Sequence, residues 1–227
     1  MEKRQEQILF TIIKEHIKTG QPVGSEAVAN KYKLDVSSAT VRNEMADLEE
    51  AGFIAQPHTS AGRIPTDRAY KRYLESLKEK KLTAAEQKTI DELLADRDEG
   101  SFKQTAKALA AVSGSAVFWA FYRNNLYYTG IANLLSQPEF SQTELIYDIS
   151  AIIDRVDEII GEIFDRVEFG PQVMVGEDNP FSPICATVMS KYRLGDRTGL
   201  FGLLGPMRMD YEKNLALIRF IDSKLRS

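Results

Sequence analysis

Apolar side chains recur at helical spacing from the start of the chain. Ile8, Leu9, Ile12, Ile13 and Ile17 form one stripe, with Lys14, Glu15 and Lys18 turned away, which predicts a helix over residues 3 to about 19. Gly20 stops it. Gln21-Pro22-Val23-Gly24 reads as a connection, and Ser25 caps a short helix to about Tyr32 with Ala27, Val28 and Tyr32 inward; a turn follows over Lys33 to Val36. Ser37 or Ser38 then caps a third helix to about Ala51, where Val41, Met45 and Leu48 fall at i, i+4 and i+7 and face the core. Past Gly52 the helical period ends: Phe53 to Pro57 reads as extended, and His58 to Pro65 as a turn with a returning strand. A fourth helix opens near Thr66 or Asp67, with Tyr70, Tyr73, Leu74 and Leu77 interleaved among Arg68, Lys71 and Arg72.

Further along, Thr83 with Glu86 and Ser101 with Gln104 have capping-box spacing and predict helices over about 83 to 95 and 101 to 112. Ser115 to Tyr122 is aromatic and β-branched, and Arg123-Asn124-Asn125 turns it into Leu126 to Thr129 as a hairpin. Extended segments are expected at Val173 to Val175, Ile184 to Tyr192 and Thr198 to Leu204. Leu145, Ile149, Ile152, Ile153, Val156, Ile159, Ile160 and Ile163 predict one long helix over Thr143 to about Val167, and Tyr211 to Leu225 a closing one. Strands framed by helices in this order predict an α+β chain: a winged helix-turn-helix over 1–80, a helical linker over 81–112, and an antiparallel sheet domain with flanking helices over 113–227.

Composition narrows the classes without choosing among them. With 43% hydrophobic and 27% charged residues the chain falls in the ordinary globular range. No apolar run reaches the roughly 20 residues a membrane span needs, and the charged start is unlike a signal peptide, so a cytoplasmic location without a membrane partner is expected. The net charge of -4 is unevenly distributed. Residues 1–81 carry 14 Lys and Arg against 12 Asp and Glu, and the remainder 15 against 21, so the first third is the electrostatically plausible partner of a polyanion.

Candidate chemistry follows from the third helix. Turning Val41, Met45 and Leu48 inward leaves Ser38, Ala39, Arg42, Asn43 and Ala46 outward. Small residues permit close approach to a DNA groove, Arg pairs with guanine O6 and N7, and Asn with adenine N6 and N7. Helix N-terminal amides near Ala39 and Thr40 suit a phosphate. The expected DNA contacts on this helix are therefore Ser37, Ser38, Ala39, Thr40, Arg42 and Asn43. The wing, stiffened by Pro57 and Pro65, offers His58, Thr59, Ser60 and Arg63 to the sugar-phosphate backbone, and the fourth helix offers Arg68 and Lys71. His58 and His16 are the only histidines and lack further ligands nearby, and Glu177 with Asp178 reads as a solvated turn, so no metal or cofactor is expected. The single Cys185 reads as a small buried hydrophobe. Phe118, Trp119, Phe121, Tyr122, Tyr127 and Tyr128 read as core, any exposed part being an interface patch. No P-loop, dinucleotide fingerprint, zinc spacing or nucleophile elbow is present, and no enzyme is expected.

The run from Gly20 to Leu74, with SSATVRNEM, QPHTSAGRIPT and the Arg-Ala-Tyr that follows, resembles the HrcA family of bacterial heat-shock repressors. GIANLLSQPEF at 130–140, VMVGEDN at 173–179 and LLGPMRMDY at 203–211 extend the resemblance. It implies a repressor that binds an inverted-repeat operator ahead of chaperone genes as a homodimer, releases it on heat shock, and has a GroEL-type chaperonin as partner. It implies too that 113–227 is a GAF-like regulatory and dimerisation domain. Such folds often enclose a small-molecule pocket, so an effector-controlled regulator is the alternative. The sequence departs from the family where only Ser113 to Asn125 precedes the segment leading to GIANLL: the family's inserted dimerisation subdomain is missing, leaving a reduced sheet domain.

Overall fold

The first helix, α1 (Lys3–Thr19), ends where Gly20 adopts a left-handed φ of 67° and its amide closes on the His16 carbonyl. That conformation costs a glycine little and other residues more. The computed structural model describes all residues except 32–35, 79, 123–124, 141–142 and 227, and the backbone alone at 31 and 143–148. After α1 come α2 (Ser25–Lys31) and α3 (Ser38–Glu50). A two-stranded antiparallel sheet, β1 (Ile54–Ala55) and β2 (Ile64–Pro65), pairs Ile54 with Pro65 and Ala55 with Ile64. Helix α4 (Asp67–Glu75) follows, capped by Thr66. Ile8, Leu9, Ile12 and Ile13 of α1 are fully buried with Val28, Val41, Leu48, Ile54, Tyr70 and Tyr73, so one small core joins all four helices and the sheet. These elements make the first of two compact units, Met1–Leu77. The inward position expected for Tyr32 and most of the turn at 33–36 lie outside the described residues.

The second unit, Lys78–Ser227, opens with α5 (Ala84–Leu93) and α6 (Glu99–Ser113). Thr83 and Glu86 form the expected capping box of α5. Helix α6 starts earlier than expected, because Asp98 accepts from the Ser101 amide at 2.7 Å and Ser101 Oγ accepts from the Asp98 amide at 3.1 Å. Ser101 is therefore the reciprocating third residue of the box rather than its cap. A five-stranded sheet follows, made of β3 (Ala116–Tyr122), β4 (Asn125–Thr129), β5 (Gly170–Val175), β6 (Cys185–Leu194) and β7 (Arg197–Pro206) in the order β4-β3-β7-β6-β5. Every pairing in it is antiparallel.

Between β4 and β5 run α7 (Ile131–Leu135), α8 (Thr143–Asp154) and α9 (Val156–Ile163). The long helix expected over 143–167 is thus broken. The Arg155 amide reaches back to the Ile152 carbonyl, three residues away, which tightens the turn and restarts the helix at Val156. No Pro or Gly marks this break, so the periodicity alone carried no sign of it. Phe118, Leu134, Phe140, Ile149, Val156, Ile160 and Met189 bury one face of the sheet.

On the other face Trp119 stacks between Phe102 and Phe201, at 4.9 and 4.7 Å between ring centroids, and its Nε1 donates to Tyr192 Oη at 3.0 Å. Burial pushes the Tyr192 phenol up to about 12. Helix α10 (Tyr211–Arg226) covers this side, and Asp222 accepts from the buried Ser190 hydroxyl at 2.7 Å. Of the aromatic group expected in the core, Phe118, Trp119 and Phe121 are buried, whereas Tyr122 and Tyr128 are 49% and 44% exposed. Both sit on the β3–β4 hairpin, Tyr122 at the end of β3 and Tyr128 on the edge strand β4.

Candidate nucleic-acid interface

Ser37 fixes where α3 begins. Its Oγ accepts from the Thr40 amide at 3.1 Å and lies 3.0 Å from the Thr40 hydroxyl, so that amide belongs to the cap. With the start fixed, the helical period puts Val41, Met45 and Leu48 inward and leaves Ala39, Arg42, Asn43 and Ala46 exposed, with Ser38 half-buried. Glu44 is buried too, which the spacing did not foretell: its carboxylate is ion-paired with Arg4 of α1. A charge can occupy that inward position because the partner and the solvated edge of α1 offset its desolvation.

The loop between β1 and β2 is held from inside and from behind. Gln56 Nε2 donates to the carbonyls of Thr59 and Ala61 at 2.9 and 3.1 Å, and the Ala61 amide donates to the His58 carbonyl at 2.9 Å. Arg63 and Val23 exchange backbone hydrogen bonds, both 2.9 Å, which pins the returning limb to the segment ahead of α2. Gly62 permits that approach: a Cβ there would sit 2.5 Å from the Val23 carbonyl carbon and oxygen. His58, Thr59 and Ser60 are left exposed at the tip.

One cleft of about 330 Å³ brings the two halves together. Arg42 and Met45 of α3 line it opposite Gln56, Thr59, Ser60, Ala61, Gly62 and Arg63 of the loop, with Gly24 and Ser25 completing the wall. Arg42, Thr59, Ser60 and Arg63 of the expected contact set therefore meet in one place. Three expected phosphate contacts have partners within the protein. Arg63 donates through Nε to Glu49 at 2.8 Å, with Nη2 also 2.8 Å from the same oxygen. Arg68 Nη1 donates to the Ala51 carbonyl at 2.6 Å and its guanidinium lies 4.5 Å above the Phe53 ring. Lys71 lies 3.6 Å from Asp67. Gln56, Gly62 and Glu49 were not singled out from the sequence. Only Gly62, a glycine closing a loop before a strand, carried a local signal of close backbone approach.

Elsewhere, Cys185 is buried and desolvation pushes its thiol up to about 12. Among the described residues no three His, Cys, Asp or Glu side chains cluster as metal ligands, and no helix is long and apolar enough to cross a membrane. Under the sheet, Phe118, Tyr128, Ile131, Ile153, Val156 and Leu204 help line an apolar cavity of about 20 Å³. That is room for about one water-sized sphere.

Residues 37–215, from the cap of α3 into α10, match the family described as HrcA protein C terminal domain. The chain belongs to the HrcA family. A curated HrcA relative from Symbiobacterium thermophilum, named heat-inducible transcription repressor, is 26% identical over 333 aligned positions that cover 99% of this chain and 98% of the relative. One from Carboxydothermus hydrogenoformans with the same name is 27% identical over 332 positions, covering 99% and 97%. These alignments are much longer than the 227-residue chain, so a large block of each HrcA relative has no counterpart here. A crystal structure described only as that of a hypothetical protein superposes with a TM-score of 0.82 at 19% identity, covering 99% of this chain and 97% of that one, and so shares the fold.

Proposed function

We propose that this chain is a heat-inducible transcription repressor whose first unit is a winged helix-turn-helix that reads operator DNA, with α3 as reading helix and the β1–β2 loop as wing. The observation that carries this reading is the shared cleft, in which Arg42 of α3 and Thr59 and Ser60 of the wing face one another across a solvent-open gap. In this reading α3 enters the major groove. Ala39 and Ala46 permit close approach, Arg42 and Asn43 address base edges, and Ser37, Ser38 and Thr40 at the helix start with His58, Thr59 and Ser60 at the wing tip contact the backbone.

Names of the HrcA relatives support the repressor role, and the finer picture extends it: a homodimer on an inverted repeat ahead of chaperone genes, with a GroEL-type chaperonin as partner. Two-fold symmetry is what an inverted repeat demands, since one module reads a single half-site. The second unit, read as a reduced GAF-like domain, is where the dimer contact belongs in this scheme. Arg42→Ala tests the assignment. A lost bidentate base contact is worth about 1–3 kcal/mol, so affinity for promoter DNA taken from ahead of chaperone genes falls about 5- to 150-fold. Affinity for random DNA of equal length changes far less. Equal small losses on both would remove Arg42 as a reader.

A further inference from the structure

The sequence pattern offers Arg63 to a DNA phosphate, but its surroundings assign it other work. We infer that Arg63 is a positioning residue, a strut that with Glu49 fixes the wing at its working distance from α3; this rests on the DNA-reading assignment of the cleft. The guanidinium places Nε and Nη2 on one carboxylate oxygen of Glu49, both at 2.8 Å, and its side chain is only 21% exposed. Its backbone is locked to Val23 in both directions. A side chain anchored at both ends cannot follow a phosphate without leaving Glu49 behind.

The cost of that exchange decides the matter. Glu49 lies seven residues after Arg42, two turns along the same side of α3. Unpaired, its carboxylate would stand near a polyanion and repel it; paired, it is neutralised and the groove side of α3 keeps the charge of Arg42. Arg68 grips the same end of the helix through the Ala51 carbonyl and the face of Phe53. The two arginines therefore clamp the C-terminal end of α3 to the wing and to α4, and cleft width follows from the clamp.

A strut and a phosphate ligand differ in how binding responds to salt. Losing one neutralised phosphate lowers the slope of log affinity against log salt by about 0.9, whereas losing a strut lowers affinity at every salt concentration and leaves the slope alone. The experiment measures operator affinity of the full chain across a salt series for wild type, Glu49→Gln, Arg63→Gln, the uncharged pair Arg63→Gln with Glu49→Gln, and the swap Arg63→Glu with Glu49→Arg. The uncharged pair, which removes the strut without changing the net charge, is expected to lose about tenfold, the scale of a hydrogen bond to a charged group, with unchanged slope, and the swap to restore most of it. Tighter binding by Glu49→Gln, a shallower slope for the uncharged pair, or no loss of affinity in that pair would overturn the inference.

Hydrogen exchange at the Arg63 amide, donated to Val23, supplies a readout that needs no DNA: it should quicken in both single variants and slow again in the swap. Unchanged exchange in both singles would also overturn the strut. If wild type shows no preference for operator over random DNA, the DNA-reading assignment fails while the exchange measurement still decides the strut.

Discussion

Arg42 and Cys185 are side chains whose surroundings differ in every respect, and each carries a prediction of its own kind. Arg42 is exposed beside a solvent-open cleft, so in the proposed function its substitution is expected to alter recognition and leave the core untouched. Cys185 has no exposed surface and a thiol pushed up to about 12. At pH 8 it is almost wholly protonated, and the thiolate is the reactive form. An alkylating reagent is therefore expected to leave it unmodified in the folded protein and to label it fully in denaturant. Rapid labelling of native protein, followed by intact mass, would contradict that placement. Gly62 is the other residue with a sharp outcome. In Gly62→Ala the new methyl meets the Val23 backbone, so the mutual Val23–Arg63 hydrogen bonds weaken; exchange at both amides is expected to accelerate, with promoter affinity reduced.

Among the elements, helix starts were the most legible part of the sequence, because a cap is a local event. Ser37, Thr66 and Thr83 each accept from the amide three residues on, as their spacing implies. Ser37→Ala should cost about 1 kcal/mol of stability, seen as an earlier denaturant midpoint by far-ultraviolet circular dichroism. Glu86 gives α5 a pH dependence. Donation from the Thr83 amide and hydroxyl holds its carboxyl below the usual carboxylate range. The folded-state value is the lower one, so the capping contribution is complete above the ordinary glutamate value near 4.3 and is lost as pH falls from there through the lower folded value. Amide exchange at the start of α5 should rise on acidification in wild type and lose that dependence in Glu86→Gln.

What the pattern missed was non-local. The break at Arg155 has no residue of its own to announce it, the burial of Glu44 depends on Arg4 forty positions away, and the partners of Arg63 and Arg68 lie on a different helix turn from anything their neighbours in sequence could indicate. Basic residues near a candidate groove were thus identified as a class, while their commitments to Glu49 and Ala51 emerged only in three dimensions.

For the molecule as a whole, division into Met1–Leu77 and Lys78–Ser227 separates the proposed DNA-reading cleft from the five-stranded sheet. Heat inducibility, in the proposed function, requires that warming either opens one unit or alters how copies associate. Marginal stability makes the first route plausible, because a few kcal/mol separate folded from unfolded populations. Cys185 tells the routes apart: labelling that rises over the same temperatures at which promoter binding is lost places the opening in the second unit, and binding lost with the thiol still protected places it elsewhere.

The lone tryptophan, sandwiched between Phe102 and Phe201 on the sheet, gives the protein one optical probe and puts it entirely in the second unit. Its emission should be blue and slow to quench. A fluorescence melt will therefore report the sheet and be blind to fraying of α3, and a promoter titration that shifts the emission would mean that occupancy in the first unit is felt by the rings of the second.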